Sequence, residues 1–169
     1  VRRQINAGLD AGQFRYVSEG DTLTGGARAA GANLQAGGLA MDGDLATYWE
    51  PDPLSPLESW WLELDLGRAV VAQRIRVRFV EEGQGDPFLK FRVLISDGRI
   101  ALTEARNREF FRVGLVTEPN KDQREFEFEV QPQHPAPLGS TGEVAQILRF
   151  EALGSDGARG REVASGAYA

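Results

Sequence analysis

The chain has 169 residues, with 19 Lys and Arg against 25 Asp and Glu, and its net charge of −6 argues against a partner bound through a phosphate backbone. It contains no cysteine, which excludes a thiol nucleophile, a thiolate zinc site and a disulfide framework. With 41% hydrophobic and 26% charged residues, it has the composition of one globular domain with a sizeable core.

In chain order, residues 1–32 read as an irregular N-terminal extension with one short strand at Phe14 to Val17. Thr22 to Gly38 is rich in Gly and Ala and reads as irregular chain. Trp61 to Leu66 alternates around Leu62, Leu64 and Leu66, and Gly67 is expected to end the strand in a turn. Val70 to Val80 sets Ile75, Val77 and Phe79 against Arg74, Arg76 and Arg78, the period of two that marks a half-buried strand. Phe88 to Ser96 ends in the tight-turn pair Asp97-Gly98. Glu109 to Val116 and Arg124 to Val130 continue the series, the latter with Phe126 and Phe128 opposite Glu125, Glu127 and Glu129. Pro132, Pro135 and Pro137 forbid regular structure, and a last strand runs from about Val144 to Leu153. Leu102 to Arg108 has room for one helical turn. Many short strands with Gly and Pro turns predict an all-β antiparallel sandwich of jelly-roll type.

The arginine and glutamate stripes are read as solvated faces of amphipathic strands, with cross-strand pairing as the alternative. The Gly/Ala-rich tail, 155–169, has little to bury and is expected to need a partner or neighbouring domain to hold it. No apolar run approaches the roughly 20 residues a spanning helix requires. The start at Val1, without methionine, fits a mature or excised piece.

Four segments, "LAMDGDLATYW" (39–49), "WWLELDLGRAVVAQRIRVRF" (60–79), "FRVLISDG" (91–98) and "ILRFEALG" (147–154), come in an order that resembles the discoidin, or coagulation-factor C-type, domain. That family belongs to the galactose-binding-like jelly rolls, and the resemblance covers 33–154. It implies a binding role toward glycans, lipid head groups, collagen or other proteins. Fold alone transmits no particular one of these.

The first segment offers Asp42, Asp44 and Thr47 as oxygen ligands for a structural Ca2+. In the carbohydrate-binding branch of the resembled family, a last-strand glutamate completes that calcium shell. Here the aligned position is Arg149, which speaks against the metal and implies instead an ion pair between Arg149 and Asp42. Trp49 and Trp61 are expected to be core, whereas Trp60, next to Trp61, is expected to be the accessible tryptophan. The candidate ligand contacts are Trp60, Phe88, Tyr48, Glu82, Asp86 and Arg106, with His134 and Arg108 nearby in type; Glu82 and Asp86 lie in the acidic loop 81–87. No nucleophile elbow, phosphate-cradling loop or paired histidine ligands occur, so no catalytic residue is assigned.

Two functions remain open at this level. One is a non-catalytic extracytoplasmic module for a glycan or another surface ligand. The other is an accessory subunit that docks on protein partners in a larger assembly, reaching a membrane only through a partner or a segment outside this sequence.

Overall fold

A computed structural model describes residues 5–18, 20–99, 108–134 and 141–154. Among them the strands are β1 (Arg15–Ser18), β2 (Asp21–Thr24), β3 (Gly26–Ala30), β4 (Trp61–Ala72), β5 (Arg74–Arg78), β6 (Phe91–Ser96), β7 (Phe111–Val116), β8 (Glu125–Glu129) and β9 (Glu143–Ala152). Five of them form one antiparallel sheet in the order β3-β4-β9-β6-β7, against which the β5-β8 pair packs; β1 and β2 form a separate hairpin. The last of the described strands, β9, is thus central, hydrogen-bonded to β4 on one side and β6 on the other.

The core between the two sheets follows from period-two patterning. Leu62 of β4, Phe91 and Val93 of β6 and Phe150 of β9 face Ile75, Val77, Phe126 and Phe128 of the smaller sheet. Phe91 lies 5.0 Å from Phe126 and 5.2 Å from Phe150, ring centre to ring centre, so aromatic contacts join the layers. Trp49, Trp60, Phe79 and Phe88 close the same cluster at one end.

Three expectations are corrected here. The Gly/Ala-rich segment is not irregular throughout: it supplies β2 and β3, and β3 belongs to the main sheet, so the sandwich begins before residue 33. Gly67 does not end the WLELDL strand. With φ +73 it carries a bulge between Asp65 and Val70, through which β4 runs on to Ala72 while its pairing with β9 shifts register. Nor is 70–80 one strand. It divides at Gln73, whose carbonyl accepts from Val130 N–H, and the chain passes from the large sheet to the small one.

On the solvent side of the small sheet, Arg76 pairs with Glu125 at 3.2 Å and Glu127 at 2.9 Å, and Arg74 reaches Glu127 at 3.3 Å. The stripes are therefore both solvated and paired. The segment with room for a helical turn, 102–107, lies outside the described residues, as do Pro135, Pro137 and the tail 155–169.

Loops 31–60, 79–90 and 117–124 gather at the end where β4, β6 and β8 begin. Asn120 N–H to Leu89 carbonyl (2.7 Å) and the Arg124 guanidinium to the carbonyls of Val80 (2.6 Å) and Gly85 (2.8 Å) tie them together.

Candidate functional site

Near this end, on the outer face of the large sheet, an open groove of about 650 Å³ is lined by Trp61, Arg92, Arg149 and Glu151, together with Leu57, Glu58 and residues 152–154. Alternation places these side chains. Leu62 and Phe150 point into the core, so Trp61, Glu63, Arg149 and Glu151 point out. Register then brings them side by side: Trp61 is opposite Glu151, Glu63 opposite Arg149, and Glu151 opposite Arg92.

The result is a continuous ionic line. Arg28 on β3 reaches Glu63 at 3.4 Å, and Arg149 donates to Glu63 at 2.7 Å and to Glu151 at 2.5 Å. Arg92 Nε donates to the other oxygen of Glu151. The Arg149 guanidinium also lies 3.9 Å from the centre of the Trp61 ring, a cation–π contact that covers one face of the indole. Glu63 keeps only 9% of its side chain exposed, so its charge is held by its two arginines rather than by water. Arg92 differs from Arg149. Its side chain is 42% exposed and, among the described residues, only its Nε is paired, which leaves both terminal nitrogens without a protein partner there.

The tryptophan assignments are reversed. Trp60 is 3% exposed, packs edge-on against Phe88 and donates its indole N–H to the carbonyl and hydroxyl of Ser55 at 3.1 Å. Trp61 is the partly exposed one. The signal was in the sequence: counting back from Leu62 in steps of two puts Trp60 on the core side and Trp61 with Glu63. Phe88 is also corrected, being fully buried among Phe79, Phe150 and Trp60, with no ring face left for a ligand. Tyr48 is half-buried; Glu82 and Asp86 are exposed on the acidic loop, away from the groove lining. Arg106 lies outside the described residues, whereas Arg108 donates to the Gly98 carbonyl. His134 sits at the other end of the sandwich, against Phe111 and Glu143.

The expected Arg149–Asp42 ion pair is likewise not formed, because the sheet register delivers Arg149 to Glu63 and Glu151. Asp42 instead accepts from the Thr47 hydroxyl at 2.7 Å and from Asp44 N–H at 2.9 Å, and these bonds hold its carboxyl below the usual aspartate range. Asp44 accepts from Ala46 N–H at 2.9 Å. The loop's carboxylates thus serve its own turns. Among the described residues no three His, Asp or Glu side chains cluster, and Arg149, at the last-strand position aligned with the calcium-completing glutamate, is engaged by Glu63 and Glu151. Trp49 is buried as expected and donates to the Asn33 carbonyl at 3.1 Å.

Two further polar groups are buried for structural ends. Asp65, 2% exposed, accepts from the Tyr16 hydroxyl and from Gly67 N–H at 2.8 Å, which latches the β1–β2 hairpin to the bulge of β4. Burial and the neighbouring Asp65 push the Tyr16 hydroxyl above the ordinary tyrosine range. Burial of Glu143 would raise its carboxyl, but the N–H groups of Gln133 (2.5 Å), His134 (2.9 Å) and Val144 (3.0 Å) outweigh it and hold the group low.

No protein-family model matches the sequence, and comparison with curated proteins gives no match. Solved structures do match. The chain is similar to the family 32 carbohydrate-binding module of Clostridium perfringens NanJ, solved with galactose, at 15% identity and TM-score 0.53, over 79% of this chain and 84% of that one. A second C. perfringens module, CpGH89CBM32-6, matches at 18% identity and TM-score 0.51, over 75% and 82%. Chitosan-binding module 2 of a Paenibacillus sp. IK-5 chitosanase/glucanase, solved with chitotriose, matches at 17% identity and TM-score 0.50, over 85% of each chain. The chain therefore has the galactose-binding-like β-sandwich fold expected from its discoidin-like segments.

Proposed function

We propose that this chain is a non-catalytic module, working outside the cytoplasm, that recognises a glycan. The observation that carries the reading is the groove: a partly exposed Trp61 edged by Leu57, with oriented guanidinium and carboxylate groups within reach of one sugar ring. Sugars need both kinds of surface, an apolar patch for their C–H face and convergent donors and acceptors for their hydroxyls. The galactose and chitotriose complexes of structures that share the fold support this reading. No helix among the described residues is long and apolar enough to cross a membrane, which is compatible with a secreted or surface-held module.

A glycan array followed by calorimetry tests the proposal. Binding that is lost in Trp61→Ala is expected; absence of binding to every glycan would overturn it. A second reading, an accessory subunit docking on a protein, draws on Leu45 (64% exposed) and Leu54 (94% exposed), two large apolar side chains on the loop before the groove. Cross-linking from Cys placed at position 54, in the native secretions, tests that reading; a protein that stays uncross-linked counts against it.

A further inference from the structure

Resting on the reading of the groove as a glycan site, we propose that it selects uncharged sugars over acidic ones, with Arg92 contacting the ligand and Glu58 excluding carboxylates. The argument starts from charge. The groove lining contains two cations, Arg92 and Arg149, and two anions, Glu58 and Glu151, so it is neutral within a chain of net charge −6. Arg149 is the more committed of the two cations: Glu63 and Glu151 hold its Nη1 and Nε at 2.7 and 2.5 Å, the Trp61 ring covers one of its faces, and its side chain is only 22% exposed. Its role is to position Glu151 and Trp61.

Arg92, at 42% exposed, offers its donors more openly, through the two terminal nitrogens of its guanidinium, beside Glu151, each of whose oxygens accepts one bond. A donor fork next to a carboxylate suits adjacent hydroxyls, one accepting from Arg92 and the next donating to Glu151. A sugar carboxylate would also accept from Arg92, but it would stand beside Glu151. It would also face Glu58, an exposed residue on the turn Leu57–Ser59 that makes no ion pair among the described residues. Like charges brought together in a half-open site cost on the order of tenfold in affinity.

The test uses the intact chain and calorimetric titration with a neutral glycan found on the array and with its uronic-acid counterpart. The neutral sugar is expected to bind on the order of tenfold more tightly, and the gap should narrow at high salt. In Glu58→Gln the ratio of uronate to neutral-sugar affinity should rise several-fold. Arg92→Gln should lose on the order of tenfold or more for the neutral sugar without a comparable change in melting temperature, and Arg92→Lys should recover only part. If neutral and acidic sugars bind alike, or Glu58→Gln leaves their ratio unmoved, the charge selection is overturned while the groove remains a glycan site. If Arg92→Gln binds normally, the contact assigned to Arg92 is overturned. If no glycan binds at all, the groove reading falls with it.

Discussion

Replacing Arg149 by methionine keeps the apolar stem but removes the guanidinium on which the groove depends. Two charge-assisted hydrogen bonds disappear, to Glu63 at 2.7 Å and Glu151 at 2.5 Å, along with the contact to Trp61 at 3.9 Å. Neither carboxylate is wholly orphaned, since Glu63 keeps Arg28 and Glu151 keeps Arg92. The loss therefore falls short of the ~3–5 kcal/mol for breaking a fully buried pair. Taking about 1 kcal/mol for each bond, because Arg149 is 22% exposed, and ~0.5 kcal/mol for the aromatic contact gives about 2.5 kcal/mol. In a domain of this size that corresponds to a fall of roughly 5–10 °C in melting temperature. Urea and thermal unfolding followed by near-ultraviolet circular dichroism measure it, and a double-mutant cycle with Glu63→Leu isolates the pair. A loss below about 0.5 kcal/mol, or strict additivity in the cycle, would refute the claim that the network is held by Arg149.

The remaining expectations concern the buried polar groups, one glycine and the aspartate loop. Tyr16→Phe should cost about 1–2 kcal/mol by removing a donor from the buried Asp65, and proteolysis should then release the β1–β2 hairpin faster; unchanged cleavage would contradict the latch. For Glu143 the folded carboxyl titrates below its unfolded value, so its contribution is complete above the ordinary glutamate range and lost as pH falls through the depressed folded value. Glu143→Gln should accordingly be less stable at neutral pH and show a shallower acid dependence, measured by denaturant midpoints from pH 7 down to about 3. A Cβ at Gly31 would stand 2.2 Å from the Ser59 carbonyl oxygen and 2.5 Å from the Trp61 indole nitrogen, so Gly31→Ala should lower both melting temperature and glycan affinity. Calcium added after chelation should give a flat isotherm and an unmoved melting temperature; saturable heat would overturn the reading of Asp42 and Asp44 as turn formers.

Much of the architecture can be read locally. Period-two alternation in residues 62–66, 74–79, 91–95 and 125–130 identifies strands and their core faces, because a half-buried strand exposes every second side chain whatever it pairs with. The same rule, carried back to Trp60 and Trp61, assigns the two tryptophans correctly. Residues 21–30 escaped it, since Gly and Ala give no hydrophobic signal and β3 exists by pairing with β4.

The candidate site was beyond such reasoning. Arg28, Glu63, Arg92, Arg149 and Glu151 come from four strands, and each alone is only an outward-facing charge in an amphipathic pattern. The alignment-based partner for Arg149 was Asp42; the actual partners follow from β9 lying between β4 and β6, a placement set by long-range hydrogen bonding and core packing. By itself, the sequence determined the fold class, most of the strands and, along those, which side chains face out. Only the tertiary structure decided which outward charges meet, because strand order and register are properties of the assembled sheet and have no local signature.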